Sequence, residues 1–267
     1  MIREPYVSGQ FYPSTKKELD RLIEDFKTKE TSKISARGLI LPHAGYVYSG
    51  KVAVETVSRV LKKDSILILG PKHTDYGEPF SLWAKGKWRI PYGDILIDER
   101  LAELILENSK YIKEDYLAHK FEHSIEVELP ILYYFFGDFK FVPLACDVSS
   151  LDVYREVAKE IVSVIRKNRL DILFIASTDM SHYEEDSIAR KKDRLAIESI
   201  INLDEEDLLK KVEENNISMC GVAGVAILIC ILKALQVKKA EVILYKTSGD
   251  VTGDKFEVVG YTGIVFS

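Results

Sequence analysis

The feature that most constrains the fold is a series of short apolar runs that alternate with segments of helical periodicity. Residues 37–42, 64–71, 140–146 and 171–178 form apolar runs of strand length. Runs of this kind are typical of strands covered on both faces of a parallel sheet. Before the last run, apolar residues recur at helical spacing over 150–168. The sequence therefore predicts an α/β fold with a layered, mostly parallel central sheet and helices on both faces.

Other segments complete this pattern. Thr15 and Glu18 form a capping-box pattern ahead of a predicted helix. Residues 123–136 favour a helix, although Pro130 would kink one. The remaining predicted helices begin at Gly50 or cover 98–109, 186–201, 204–215 and 221–236, and the remaining predicted strands lie within 79–97, 241–248 and 255–266. Because no Pro/Gly/Ser-rich linker interrupts the chain, we expect residues 1–267 to form a single domain.

Composition argues against several classes of partner. The net charge of −5 and the absence of a Lys/Arg run predict no nucleic-acid partner. The most apolar stretch, residues 222–235, is too short to span a bilayer, and the N-terminus has no apolar region of a signal peptide. The three cysteines form no CxxC pair, which is typical of a reducing compartment. We therefore expect a cytoplasmic protein without a membrane segment.

Three of the five histidines follow predicted strands. His43, His73 and His182 come directly after apolar runs, and the loops around them carry Gly45, Gly70 and Pro71, which suit tight turns. In open α/β sheets the carboxyl ends of the strands form the edge where ligands bind. One histidine alone is more often an ordinary packed or solvated residue, but three at equivalent positions predict a shared site.

Further candidates lie near the predicted edge. Cys220 precedes the apolar helix, where the helix dipole should lower the pKa of its thiol and favour thiolate. Asp179 lies three residues before His182 and could orient an imidazole. His123 lies among carboxylates, which should help it hold its proton and act as an acid or hydrogen-bond donor. His119 lacks such neighbours and is interpreted as a structural residue.

Two imidazoles and a thiolate would leave open positions on a metal, which is the pattern of a catalytic site rather than a structural one. Nitrogen and sulfur donors suit zinc, ferrous iron or copper, so the donor types leave the metal open.

Six motifs occur together along the chain. They are REPYVSGQFYP (3–13), PHAGYVYSG (42–50), LGPKH (69–73), EHSIEVELP (122–130), STDMSHY (177–183) and MCGVAG (219–224). In this order they resemble the Memo family, of the prokaryotic type, over essentially the whole chain. The resemblance implies the fold of the class III extradiol dioxygenases, enzymes that open aromatic diols with non-haem Fe(II).

The resemblance also implies roles for individual residues. It implies that His43, His73 and Cys220 hold the metal, with iron as the first expectation and copper or zinc as alternatives. His182 matches the acid/base histidine of the dioxygenases, His123 a histidine lining the pocket, and Asp179 belongs to the motif of His182. Because a cysteine stands where the dioxygenases have a carboxylate ligand, the shared fold does not by itself assign dioxygenase activity.

Three functions follow as hypotheses. The first is a dioxygenase-like, metal-dependent oxidoreductase that acts on a small, aromatic substrate, with His182 moving protons. The second is a catalytically silent module that binds a phosphorylated peptide, as animal Memo members are described, in a cleft lined by Tyr46, Tyr48 and Tyr183. The third is a zinc-dependent hydrolase. The resemblance to prokaryotic members further implies a radical-SAM protein as a partner.

Overall fold

Twelve strands form a mixed sheet in the computed structural model, which describes residues 1–28 and 32–267. The strands are β1 (Ile2–Arg3), β2 (Gly38–Leu41), β3 (Ser65–Pro71), β4 (Phe80–Leu82), β5 (Lys87–Ile90), β6 (Gly93–Ile97), β7 (Lys113–Glu114), β8 (Lys140–Cys146), β9 (Leu173–Ser177), β10 (His182–Glu184), β11 (Ala240–Thr247) and β12 (Val258–Phe266).

The helices of the described residues are α1 (Lys16–Phe26), α2 (Tyr46–Ser58), α3 (Glu99–Asn108), α4 (Leu117–Lys120), α5 (Glu128–Phe136), α6 (Leu151–Asn168), α7 (Asp186–Ile201), α8 (Glu205–Glu214), α9 (Val222–Ala234) and α10 (Gly249–Thr252).

The centre of the sheet is parallel. Along the sheet the strands follow the order β1-β5-β6-β8-β3-β9-β2-β12-β10, and β6, β8, β3, β9 and β2 are neighbours in parallel register. Antiparallel pairs flank this centre, between β5 and β6 on one side and between β2, β12 and β11 on the other. The predicted α/β fold with a mostly parallel sheet is therefore confirmed.

Two groups of helices cover the sheet. Helices α6, α8 and α9 pack on one another, and α9 lies against β3 and β9. Helices α1, α2 and α5 form the other group, in which α2 lies against β12 and β11. Apolar residues of β3 and β9 are buried throughout, because each strand is covered on both faces. The buried side chains of α9 explain why its sequence lacks a polar face.

Most predicted helices are present, and their ends follow local capping. Thr15 Oγ1 accepts a hydrogen bond from the Glu18 N–H, as the capping-box pattern predicted. Asp98 and Ser150 cap α3 and α6 in the same way. None of the helices in the described residues is both long and apolar enough to cross a membrane.

Two predicted helices have different bounds. Helix α2 starts at Tyr46, four residues before the expected Gly50, so only a two-residue turn separates His43 from the helix. Gly45 has a φ of −55°, so this turn does not need the left-handed conformation that favours glycine. In the segment 123–136 the helix begins only at Glu128. Pro130 therefore lies in its first turn, where the missing N–H costs no helical hydrogen bond and produces no kink.

Candidate metal centre at the sheet edge

Three histidines meet at the carboxyl edge of the parallel strands. His43 follows β2, His73 follows β3, and His123 lies in the turn before α5. Strand β9 pairs with both β2 and β3, which brings the ends of those two strands to the same edge. The predicted convergence of His43 and His73 is thus explained by the order of three adjacent parallel strands.

These residues form what we call the imidazole cluster, comprising His43, His73 and His123. One nitrogen from each ring lies within 4.8 Å of the others, so the three could hold a metal ion. The ring centroids are 5.3 Å apart for His43 and His73, and 4.8 Å apart for the stacked pair His73 and His123. His43 is buried, whereas the side chains of His73 and His123 keep 33% and 22% of their surface exposed. The cluster is therefore closed to solvent at His43 and accessible at His73 and His123.

The Nδ1 atom of each clustered ring faces an oxygen. His43 Nδ1 lies 2.8 Å from Ser177 Oγ, and His73 Nδ1 lies 2.9 Å from Glu122 Oε1. His123 Nδ1 lies 3.5 Å from the same Glu122 oxygen. Outer partners of this kind fix the tautomer and orientation of metal-binding histidines. Nδ1 is thus hydrogen-bonded in His43 and His73, and Nε2 is the nitrogen of these two rings that is left to bind a ligand.

The protonation of the rings follows from burial and from Glu122. Burial and the neighbouring imidazoles hold the pKa of His43 well below its ordinary value. Burial would also lower the pKa of His73, but the hydrogen bond and charge of Glu122 outweigh it and raise that pKa. Burial lowers the pKa of His123 despite the nearby Glu122 carboxylate. The expectation that flanking carboxylates would keep His123 protonated is therefore wrong, because desolvation of the ring dominates.

Cys220 lies beside the cluster. Its Sγ atom is 3.3 Å from His43 Nε2 and also 3.3 Å from the backbone N–H of Asp179, which donates to it. Gly221 caps α9 and packs so closely on Ser177 that a Cβ there would lie 2.4 Å from the Ser177 carbonyl oxygen. This close approach places Cys220 against the end of β9.

The pKa of the Cys220 thiol is raised, whereas the sequence predicted a lowered pKa. Burial, with the nearby Asp179 carboxylate, raises the pKa of the thiol to about 12. The position before α9 exposes Cys220 to the positive end of the helix, but desolvation is the larger effect on a buried thiol. The protein alone therefore favours the neutral thiol.

Asp179 contacts the backbone of the turn that carries His43. Its carboxylate accepts a hydrogen bond of 2.9 Å from the backbone N–H of His43, and only 5% of the residue is exposed. Burial raises the pKa of Asp179 to about 7, against the backbone hydrogen bonds of His43 and Ala44. The residue thus holds the turn that carries His43, and its backbone binds Cys220.

His182 lies outside the imidazole cluster, at the start of the short strand β10. Its Nδ1 lies 2.9 Å from the Ser218 carbonyl oxygen, and its backbone N–H donates to Ser218 Oγ. A neutral ring that donates from Nδ1 keeps Nε2 as an acceptor. His182 can therefore accept or return a proton at Nε2.

The other histidine and cysteines lie in different surroundings. His119 is fully buried and its Nε2 lies 2.8 Å from the Ser81 carbonyl oxygen. Cys146 is buried at the end of β8, and Cys230 lies within α9. These positions agree with the structural interpretation of His119.

Of the three tyrosines proposed to line a cleft, one lies in the core. Tyr46 is 1% exposed, and its hydroxyl donates to the Val127 carbonyl oxygen. Tyr48 and Tyr183 are 41% and 74% exposed. Tyr183 also has a φ of 56°, an uncommon conformation for a non-glycine residue that often occurs near functional sites.

Three supporting residues escaped the reasoning from sequence. Glu122 is one of the carboxylates that flank His123 in the sequence, yet it accepts hydrogen bonds from both the backbone and the ring of His73. Ser177 ends β9 behind His43, and Glu128 in turn contacts Ser177. The motifs contain all three residues, but no local pattern indicates which distant ring each one meets.

Comparison with known proteins places these motifs in a family. The model of the Memo-like protein family matches residues 3–265. A MEMO1 family protein of Methanopyrus kandleri is 40% identical, with 100% of this chain and 99% of that protein covered. MEMO1 family proteins of Thermotoga neapolitana and Aquifex aeolicus are 40% and 39% identical, and each match covers at least 99% of both chains.

A solved structure shares the fold at lower similarity. The crystal structure of an uncharacterized protein from Escherichia coli K12 aligns with a TM-score of 0.50 and 14% identity, covering 84% of this chain and 98% of that chain. This likeness supports the α/β architecture alone.

Proposed function

The chain belongs to the Memo-like family, and from that premise we propose that it is a metal-dependent oxidoreductase acting on a small molecule. The observation that carries the proposal is the imidazole cluster, whose nitrogens lie within 4.8 Å of one another at the open edge of a parallel sheet. A buried His43 and the two more accessible rings suit a site that holds a metal on one side and admits a substrate on the other.

The donor set fits a metal. Ser177 and Glu122 face the Nδ1 atoms of His43 and His73, so the Nε2 lone pairs of these rings are available. Imidazole suits iron, copper and zinc alike, and iron is the metal we propose first. When bound, a redox metal supplies electron transfer and polarisation of a substrate at these nitrogens.

The third ligand can be His123 or Cys220. His123 shares the cluster with His43 and His73, whereas Cys220 approaches His43 Nε2 to 3.3 Å. His123→Ala and Cys220→Ser, each loaded with Co²⁺, discriminate the two. A thiolate ligand gives a near-ultraviolet charge-transfer band that Cys220→Ser abolishes. If that band is absent from the wild type, and His123→Ala alone weakens binding, the third ligand is His123.

His182 is the residue that we propose moves protons. Its Nδ1 is held by the Ser218 carbonyl oxygen, which leaves Nε2 for a substrate proton. Asp179, which was expected from the sequence to orient an imidazole beside His182, contributes by holding the backbone of His43.

A zinc-dependent hydrolase is a second candidate. The observation that favours it is the three-nitrogen set, since catalytic zinc is commonly bound by three protein ligands with a fourth position open to water. Turnover of an ester or amide with zinc alone, without oxygen or reductant, would support this candidate.

Metal analysis after anaerobic purification tests the leading proposal. We expect iron or copper near one equivalent per wild-type chain and its loss in His43→Ala. A wild-type protein that contains neither metal, and does not take up Fe²⁺ or Cu⁺ anaerobically, would contradict it. Zinc at one equivalent in the wild type, and its loss in His43→Ala, would shift the assignment to the hydrolase.

A further inference from the structure

Glu128 is a buried carboxyl group with an unusual shortage of partners. It is the first residue of α5 and is 1% exposed. Its Oε1 atom lies 2.7 Å from Ser177 Oγ, whereas Oε2 has no hydrogen-bond partner among the described residues. An ionised carboxylate with one hydrogen bond would be costly at such a position.

Ser177 connects this carboxyl group to the imidazole cluster. Its Oγ lies 2.8 Å from His43 Nδ1 and 2.9 Å from the Ser124 carbonyl oxygen, in addition to the contact with Glu128. A serine hydroxyl has one proton to donate and two lone pairs to accept with. The three contacts are satisfied together only if two of the three neighbours donate to Ser177.

The Ser124 carbonyl oxygen can only accept, so it takes the hydroxyl proton of Ser177. The two donors must then be His43 Nδ1–H and a protonated Glu128 carboxyl group. If Glu128 were ionised, it would compete with the Ser124 carbonyl for the same proton, and one buried acceptor would lose its donor. The counts of donors and acceptors therefore favour a neutral Glu128.

We propose that Glu128 is neutral in the folded protein and donates to Ser177, and that Ser177 is the positioning residue that holds His43 with its proton on Nδ1. The Nε2 lone pair of His43 then faces the imidazole cluster. This role rests on the proposed metal site, but the tautomer that it assigns to His43 exists without any metal. It extends the usual pairing of a metal-binding histidine with one outer partner to a chain of two.

The surroundings of Glu128 agree with this state. Burial raises the pKa of its carboxyl group well above the ordinary value, the hydrogen bond with Ser177 opposes that shift, and the Asp179 carboxylate adds to it. The Tyr46 hydroxyl, which also packs near Glu128, donates to the Val127 carbonyl oxygen instead. The described residues thus offer no cation to stabilise an ionised Glu128.

The first test measures the tautomer of His43 in the metal-free protein by long-range ¹H–¹⁵N correlation. We expect the Nδ1–H form in the wild type. Glu128→Gln should keep it, because an amide N–H can donate to Ser177 in place of the acid. Glu128→Leu should keep it as well, because the Ser124 carbonyl oxygen still takes the Ser177 hydroxyl proton, whereas Ser177→Ala should give a mixture of tautomers. An Nε2–H ring in the wild type would overturn the proposal, even if none of the variants folds.

The second test titrates Co²⁺ into the same proteins. We expect Glu128→Gln to bind like the wild type and Ser177→Ala, which removes the partner of His43 Nδ1, to bind about 10–100-fold more weakly. Ser199→Ala is the matched control, since Ser199 is another fully buried serine but contacts Leu195 and Asp207 instead of a histidine. It should bind Co²⁺ like the wild type.

The two tests separate the inference from the proposed function. Unchanged Co²⁺ affinity and unchanged tautomer in a folded Ser177→Ala variant would overturn the positioning role while leaving the metal site intact. A wild-type protein with the expected tautomer but no Co²⁺ binding would instead contradict the metal site and leave the role of Ser177 in place.

Discussion

Glu122 and Glu126 lie four residues apart on one segment, yet they face different surroundings. Glu122 accepts hydrogen bonds from the backbone and ring of His73 and lies close to the ring of His123. The carboxylate also accepts from the backbone N–H groups of His123 and Ser124. Because it holds the His73 ring at Nδ1, the Nε2 atom of that ring is left to bind a ligand.

Glu126 is surrounded by the N-terminal segment instead. Arg3 pairs with it at 2.7 Å, the backbone N–H groups of Tyr6 and Val7 donate to it, and so does the Tyr12 hydroxyl. The other Arg3 nitrogens donate to backbone carbonyl oxygens of His119 and Glu122. Every donor in this group meets an acceptor within the protein, which is the arrangement of a structural contact.

The comparison indicates that Glu126 stabilises the fold, whereas Glu122 positions a residue of the candidate site. A fully paired carboxylate ties residues 3–12 to the turn that carries His123, whereas the imidazole cluster keeps nitrogens available for a ligand. Both depend on burial, so burial alone does not identify the functional residues.

The largest effect should come from breaking the buried ion pair. Arg3→Ala leaves the buried Glu126 charge without its cation, and we expect the free energy of unfolding to fall by about 3–5 kcal/mol. Arg89→Ala is the control, because Arg89 pairs with Glu4 and Asp94 at the surface, so its loss should lower the free energy of unfolding far less. Urea denaturation measures both. Equal losses in the two variants would refute the comparison.

Removing a ring from the cluster should act on metal binding instead. For His43→Ala we expect Co²⁺ affinity to fall by more than the roughly 100-fold upper range for outer partners. His119→Ala is a matched buried histidine outside the cluster, and it should lower stability but keep the metal affinity. Isothermal titration and urea denaturation of both variants provide the measurement. Retained binding in His43→Ala would contradict the site.

Neutralising Glu122, the carboxylate that contacts the Nδ1 atom of His73, should lower the metal affinity by an intermediate amount. Glu122→Gln removes the charge that orients His73, and we expect a loss of about 10–100-fold in Co²⁺ affinity. Glu114→Gln, an exposed glutamate that contacts only Tyr116 in the described hydrogen bonds, should change nothing. If both variants bind Co²⁺ like the wild type, Glu122 belongs with Glu126 as a structural residue.

The smallest expected effect is a change in how the stability of the protein depends on pH. Because the folded state keeps a proton on Glu128 that the unfolded chain loses above about pH 4.3, wild-type stability should fall as pH rises above that value toward the raised pKa. Glu128→Gln lacks this loss, so its stability relative to the wild type should improve between pH 5 and pH 8 in the metal-free state.

Glu205→Gln provides the control for that measurement. The pKa of Glu205 is lowered, since its pairing with Lys233 and Arg155 outweighs burial, so its contribution is lost only as pH falls below the ordinary range. Its stability relative to the wild type should stay constant between pH 5 and pH 8. Parallel curves for the wild type and Glu128→Gln would show that Glu128 is ionised in the folded protein.

Much of the fold could be predicted because its signals are local. The apolar runs gave strands β2, β3, β8 and β9, and the helical spacing over 150–168 gave α6. The start of α2 and the start of α5 were misplaced, since Tyr46 and Glu128 begin helices without a side-chain cap to mark them. Such boundaries are set by packing rather than by capping residues.

The site was predicted in part. His43 and His73 follow strands β2 and β3, so their meeting required only that both strands run parallel to β9, which lies between them. His123 was assigned to the pocket by family resemblance, but its place within 4.8 Å of the other two donors depends on the turn before α5. The protonation of His123 and Cys220 was predicted in the wrong direction from nearby charges, because desolvation has no local signature.

By itself the sequence determined the α/β layering and the placement of His43 and His73 at one sheet edge, because strand periodicity and strand ends are properties of short segments. Only the tertiary structure decided that Glu122 faces His73, that Glu128 reaches His43 through Ser177, and that Glu126 holds the N-terminal segment. The physical reason is that these contacts join residues far apart in the chain, and that burial sets the charge state of the groups they bring together.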